Sequence, residues 1–407
     1  MVNFNSARAF YFICLLGMAS SGCASHSLPR PISPPPTFNA TIFPTEIQIA
    51  RPTPTPNPTP TPTITTFPLP LPHGRIELPY RTLSLAIDDQ YIYWLVSSED
   101  RIVRQSLQSY KAVRAVQPET FATTRYPNGR LDLLPMQRNG DWLFFVDCNT
   151  PGIPTVWMVR AINVNTGAEK VVAESQGTSI LYDFKAEAGR VAMTLSDWGP
   201  DKKCPGSDKG DAVLAIAQLD TGKREELDRV CFDQAEWLNV ALSGETLFAT
   251  RAGANQTASE VVMFNLLDGS NRQLSQSLGI PATGLLAAQG AWVAWDAIGG
   301  TLLYNLSNHE HKLIVPTAWS GPLMYPSING AWLYWTEWSD GYKVVAYNLV
   351  QEEMVTLAVP GGNERVGEPY IHGNLIAWKR DLQSNLADSQ SVLEWIELPY
   401  STPLATP

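Results

Sequence analysis

The 407-residue chain carries little charge. Asp, Glu, Lys and Arg make up 17% of it, with 29 basic against 39 acidic residues and a net charge of -10. No run of Lys and Arg is present, and neutralising phosphates needs one, so the composition argues against nucleic acid as a partner. Four histidines, His73, His309, His311 and His372, fall beyond residue 72, and none stands in a suggestive pattern with Ser or Cys. There is no Gly-x-Ser-x-Gly nucleophile elbow and no glycine-rich phosphate cradle. The apolar run from Ala9 to Ala19 is too short to span a bilayer, which takes about 20 residues.

That run has the length of a signal-peptide core, and Arg8 precedes it. Ser20, Ser21 and Gly22 then lead into Cys23 and Ala24. Small residues before a cysteine resemble the lipobox of bacterial lipoproteins, and that resemblance implies acylation at Cys23. Ser20 stands where that motif usually carries Leu. Plain signal cleavage near Ala24, releasing a secreted protein, is the alternative. The lipidated reading is preferred, with residues 1–22 removed and the chain held at the cell membrane or cell surface. Acyl chains in the plural anchor stably where one does not.

Residues 29–72 hold the tract Arg51 to Thr63, in which proline alternates with Thr or Asn. Proline fixes φ and removes a backbone donor, so neither helix nor sheet can form there. A disordered, extended Pro/Thr-rich linker is expected, reaching at most about 130 Å at about 3.1 Å per residue. It would lift the domain off a membrane.

From Gly74 a pattern returns about every 40 to 55 residues: a turn, then a short apolar-aromatic strand. The strands begin near Tyr91, Trp142, Val191, Leu247, Trp292, Trp332 and Leu375. Asn139-Gly140 and Asn329-Gly330 are hairpin signals, because both residue types tolerate positive φ. A second strand often ends in an aromatic followed by Asn-Leu, as at Phe264, Tyr304 and Tyr347. Asp-Gly or Thr-Gly turns and a polar strand complete a four-stranded unit. No amphipathic helix of useful length interrupts this. All-β repeats of this period read as a β-propeller over residues 74–400, with 401–407 as a tail. Seven four-stranded blades fit best, six or eight being the alternatives. The last repeat lacks a fourth strand, and Arg75 to Pro79 precede the first, so these residues should close the ring and remove an open edge. Ile-Glu-Leu-Pro-Tyr occurs at both 76–80 and 396–400, which suggests similar positions for the two segments.

Over residues 84–398 the repeats resemble the propeller domains of the TolB-like group of exported bacterial proteins. Their first turns read Arg-Asn-Gly at 138–140, Leu-Ser-Gly at 242–244 and Ile-Asn-Gly at 328–330, where that group typically carries Ser-Pro-Asp-Gly. Tyr334 to Glu337 look like a single YWTD-type repeat of receptor propellers. Both likenesses imply binding of macromolecules rather than catalysis.

The loops after the second strands should share one face. They carry Asp147, Asp197, Trp198, Asp296, Glu337, Trp338, Asp340 and Asp381. Acids with aromatics at a mouth suit a sugar, a cation or a basic protein patch. Polar loops in an acidic protein give the same list without any ligand. Trp94, Trp295, Trp335 and Trp378 recur at one repeat position and should pack between blades. His309, Glu310 and His311 lack zinc-ligand spacing and read as a hairpin tip, so no metal or cofactor is expected. Of Cys148, Cys204 and Cys231, an exported protein can pair two; Cys148 with Cys204 is favoured over Cys204 with Cys231.

The expected function is therefore a surface-tethered, non-catalytic binding or scaffold propeller that engages protein or glycan through its loop face. An extracellular polysaccharide hydrolase or lyase and a structural envelope component are the alternatives.

Overall fold

The computed structural model describes residues 73–398 except 79–81, 97–98, 109–117, 127–128, 132–133, 150–155, 176–178, 199–203, 205–209, 254–258, 315–323, 339–341, 360, 362–363 and 383–389. Cys23, the Pro/Thr-rich tract, Asp340 and the tail lie outside the described residues. Among those residues, no helix is long and apolar enough to cross a membrane.

Among the described residues the first strand is β1 (His73–Leu78), and antiparallel sheets follow in sequence. The first holds β2 (Thr82–Ile87), β3 (Tyr91–Val96), β4 (Arg101–Ser106) and β5 (Glu119–Thr123). The second holds β6 (Arg130–Leu131), β7 (Gln137–Asn139), β8 (Trp142–Cys148), β9 (Trp157–Asn163) and β10 (Glu169–Glu174), with β6 and β7 both on β8. The third holds β11 (Ser179–Glu187), β12 (Arg190–Asp197), β13 (Asp211–Gln218) and β14 (Arg224–Cys231).

An eight-stranded sheet follows. It comprises β15 (Ala235–Ser243), β16 (Thr246–Gly253), β17 (Ser259–Asn265), β18 (Asn271–Gln273), β19 (Ala282–Gln289), β20 (Trp292–Ala297), β21 (Gly300–Asn305) and β22 (His311–Ile314). Its two halves meet at a single pair, Ser259 with Ala282, and the short helix α1 (Leu274–Leu278) lies between them in the chain. Next come β23 (Met324–Asn329), β24 (Trp332–Trp338), β25 (Tyr342–Asn348) and β26 (Met354–Ala358). The last sheet holds β27 (Glu364–His372), β28 (Leu375–Leu382) and β29 (Gln390–Glu397), and β1 returns to become its fourth strand.

The first strands of these units form a closed series. Strands β2, β7, β11, β15, β19, β23 and β27 each lie against the next, and β27 lies against β2. This is an all-β propeller of four-stranded blades. Closure by β1 satisfies an edge that the last sheet would otherwise expose. The repeated pentapeptide does not mark equivalent places, however. Ile76 pairs with Leu393, so β1 runs beside β29 as a neighbour instead of repeating its role.

The first hairpins form where the dipeptides predict. Asn139 pairs with Trp142 and Asn329 with Trp332, leaving Gly140 and Gly330 as turn residues at φ 53° and 56°. Glycine adopts that region without the steric cost other residues meet. Each core layer lies between consecutive sheets. Trp94, Trp295, Trp335 and Trp378 are all fully buried; Trp94, Trp335 and Trp378 face the sheet that precedes their own, and Trp295 faces the β15–β17 half of its eight-stranded sheet. A blade cannot bury both its faces alone, and these indoles fill the gap to its neighbour.

Candidate functional site

Strand alternation places the loops after every second strand at one end of the ring, with the connections between blades. The tight hairpins leading into the second strands lie at the other end. Asp147, Asp197, Asp296, Glu337 and Asp381 all sit near the loop end of a second strand. They do not line an open mouth. Asp147, Asp296, Glu337 and Asp381 are buried, and Asp197 is half-buried. Trp198 follows β12 and is half-buried against Gly210. Trp338 ends β24.

Most of these carboxylates serve the sheet itself. Asp147 meets the Arg160 guanidinium at 2.7 Å and accepts from the Thr124 hydroxyl at 2.6 Å and the Arg125 amide at 2.7 Å. Arg160 also binds Glu169 and donates to the Thr123 carbonyl. Burial alone would raise the Glu169 carboxyl, but Arg160 and Arg125 bring it below its ordinary value. In the last sheet the signs are exchanged. Arg380 occupies the sixth position of β28, as Asp147 does in β8, and binds Glu394 and Glu364. Glu394 also accepts from the Trp378 indole and meets Arg75 of the closing strand at 3.5 Å. In the third sheet Arg229 joins Asp197, Asp211 and Glu226. Glu226 leads in raising that guanidinium above its ordinary value. Ser391 donates to Asp381 at 2.7 Å.

Arg160, Arg229 and Glu394 were not singled out by the sequence. For Arg160 and Glu394 the signal is a charge set among the apolar residues of its strand, beside a strand that carries the other sign, whereas Arg229 lies in the densely charged β14 and offers no such signal. Buried charges need that partner, because taking one partner away leaves an uncompensated ion.

The inner strands share a second feature. All of them break register with the second strand near the loop end, at Thr82/Leu85, Leu181/Asp183, Trp237/Val240, Ala282/Leu286, Met324/Ser327 and Val366/Pro369, and β6 and β7 divide at the same place. Such bulges free backbone groups and re-aim side chains. The fifth residue of the second strand often serves them. Thr194 donates to the Leu238 carbonyl at 3.2 Å, Lys379 to the Thr82 carbonyl at 2.9 Å, and Thr250 accepts from the Asn239 amide at 3.0 Å.

In β20 this fifth residue is Asp296, which is 3% exposed. Neither of its oxygens has a hydrogen bond of normal geometry among the described residues. Burial pushes its carboxyl well above the usual carboxylate range, opposed by the nearby Leu285 amide. The side chain lies over Gly284, where a Cβ would come within 2.4 Å of Oδ2.

The cysteines pair as Cys204 with Cys231, their Cα atoms 5.7 Å apart. This corrects the preference for Cys148 with Cys204. Cys148 ends β8 inside the core as a buried thiol. Cys231 pairs in register with Asp211, whose carboxylate accepts from the Cys204 amide, so the loop end of the third sheet gathers both sulfurs. His309 to His311 form the turn into β22, and His309 Nδ1 lies 2.8 Å from the Tyr304 hydroxyl. Among the described residues no group of three or more His, Cys, Asp and Glu side chains could hold a metal ion.

No protein-family model matches the chain, and no curated protein matches it. Solved structures do. A prolyl endopeptidase matches at a TM-score of 0.51 with 11% identity, over 76% of this chain and 46% of its own. A puromycin hydrolase matches at 0.50 and 11%, over 74% and 50%. The chain thus spans about half the length of these two proteins. TolB from Acinetobacter baumannii matches at 0.39 with 12% identity, over 65% and 79%. The likeness to the endopeptidase and the puromycin hydrolase, at these identities, shows the propeller fold and nothing of activity.

Proposed function

We propose that this chain is an exported, lipid-tethered binding propeller of seven blades, engaging a protein or glycan at its loop end. The blade number counts the two halves of the eight-stranded sheet separately and includes the blade closed by β1. The observation that carries the binding face is where apolar surface is left open. Of the exposed large apolar residues, Ile298, Val359, Val156 and Tyr182 belong to the loop end, in loops, blade connections or an inner-strand bulge, while Leu267 and Val350 belong to turns at the opposite end. A contiguous apolar patch is what marks a recognition surface, so the reading requires these loop-end side chains to act together.

The chemistry supports binding over turnover. Asp147, Asp197 and Asp381 are held by cations or hydroxyls of the sheet, which leaves them poorly placed to exchange protons with a substrate. A hydrolase or lyase is less well supported for that reason. The tether rests on the lipobox-like segment at Cys23 and the proline tract, and a TolB-like lipoprotein form belongs to the same proposal.

Two measurements test this reading. A photo-crosslinking amino acid placed at Ile298 or Val359 of the full chain should give discrete adducts in intact cells, and one at Leu267, an exposed residue of the opposite end, should not. Adducts of equal yield at Leu267, or none at Ile298 and Val359, would remove the loop face. Acyl label should be lost in Cys23→Ala, and label unchanged in that variant removes the lipid tether.

A further inference from the structure

The loop end of β19 and β20 departs from the pattern of its neighbours in the charge it places under the bulge. In the third and last sheets the fifth residue of the second strand is a donor, Thr194 or Lys379, and it satisfies a bulge carbonyl of the following sheet. In β20 that residue is Asp296, which when ionised can only accept. The donors available to it are few. The following inner strand carries Pro326 in its own bulge, and proline has no N–H. The Leu285 amide points towards the carboxylate without completing a hydrogen bond of normal geometry.

The register shift leaves Thr283, Gly284 and Leu285 without register partners on β20. Gly284 gives the close approach that any Cβ would block. Thr301 stands directly opposite Asp296 in the β20–β21 register. It is fully buried, and its hydroxyl also lacks a hydrogen-bond partner among the described residues. Cross-strand partners have Cβ atoms about 5 Å apart on one face, close enough to share a bridging ligand. Alternation along the strands puts Asp296 and Thr301 on the side of Ala294 and Leu303, in the layer shared with Trp335 of the next sheet.

We propose that Asp296, the Thr301 hydroxyl and the carbonyls of the Thr283–Leu285 bulge hold a hard, oxygen-ligated cation of the calcium class between β19–β22 and β23–β26. A lone buried carboxylate is costly, and a bound cation removes that cost while accepting the carbonyls and the hydroxyl oxygen as ligands. With no sulfur or imidazole in the set, zinc and copper are disfavoured. The Lys379 ammonium illustrates the same solution with a tethered cation, bonded to the Thr82 carbonyl and 3.6 Å from Asp381. The site pins an inner strand to its blade and would stiffen the wall from which Ile298 projects.

The test uses the full chain, stripped with chelator and returned to calcium chloride, magnesium chloride or sodium chloride at matched ionic strength. After desalting, elemental analysis should find about one calcium per chain, with a melting temperature raised by several degrees over the chelated form. Asp296→Asn should retain no calcium and melt at the same temperature with and without it. Thr301→Val should weaken calcium binding at least tenfold, read from the midpoint of the stabilisation. Should Asp296→Asn fail to fold, the metal content and melting shift of the natural chain decide alone. No retained metal together with equal melting in all three salts and in chelator would overturn the proposal.

Discussion

Replacing Arg160 by Met should be among the most damaging single changes away from the Trp layers. The guanidinium is 4% exposed and Asp147 beneath it is 0% exposed, so solvent cannot take over the role of the lost cation. Arg160 also carries Glu169, the Thr123 carbonyl and a contact over the Phe145 ring, with its guanidinium carbon 4.9 Å from the ring centroid. Breaking a buried pair from one side costs about 3–5 kcal/mol. Asp147 keeps the Thr124 hydroxyl and the Arg125 amide, which places the expectation at the low end, about 3 kcal/mol. With about 300 ordered residues and about 2 cal/mol/K of unfolding entropy per residue, the melting temperature should fall by roughly 5 °C. The double variant Asp147→Asn, Arg160→Met removes both charges and should recover at least half the loss. Urea unfolding followed by tryptophan fluorescence reads both variants, with calorimetry to check that one transition is present. A loss under 1 kcal/mol for Arg160→Met, or a double variant as damaged as the sum of the two single ones, would refute the reasoning.

Cys231→Ser should lower stability by about 3 kcal/mol in the absence of reductant, since the Cys204–Cys231 bridge closes a segment of 27 residues and chain entropy scales with that length. The same variant should be insensitive to reductant, and an unchanged urea midpoint would show that the bridge does not form. Asp296 gives a pH dependence of known sign. Its folded carboxyl titrates well above the usual value of 3.8, so its contribution is complete below that pH and is lost as pH rises through the folded value. Melting temperatures of the chelated chain from pH 4 to 8 should therefore fall relative to Asp296→Asn, and parallel curves would contradict the assignment. Asp88 acts oppositely. Burial would raise it, but the Tyr93 hydroxyl, two amides and Arg138 hold it below its ordinary value, so Asp88→Asn should cost stability at neutral pH and progressively less on acidification.

The fold was legible because its signals are local. A turn dipeptide followed by apolar-aromatic residues recurs at regular spacing, and the indoles at the fourth position of the second strands carry the layers between sheets. Closure by residues near 75 followed from counting strands. The ion pairs were not legible, since Arg160 reaches Asp147, and Arg380 reaches Glu394, only after strand register is fixed. Both ladders run without a bulge, yet a one-residue shift in either would change the face on which a side chain sits. The acids at the loop end were found in the right part of the ring and assigned the wrong surroundings. In sequence they look like loop residues, yet most of them lie inside the last turn of a buried strand. The disulfide failed for a related reason. Cys148 and Cys204 belong to adjacent sheets, but Cys148 points into the core, and the pairing of Asp211 with Cys231 brings the other sulfur to Cys204.

The claim of binding without turnover is tested most directly by incubating the purified full chain with extracellular polysaccharides and following reducing ends over time. The account predicts that none accumulate above the buffer control, even where a polysaccharide is retained by the immobilised chain. Steady release of reducing ends, abolished by Asp296→Asn or Glu337→Gln in variants that still melt cooperatively, would contradict it.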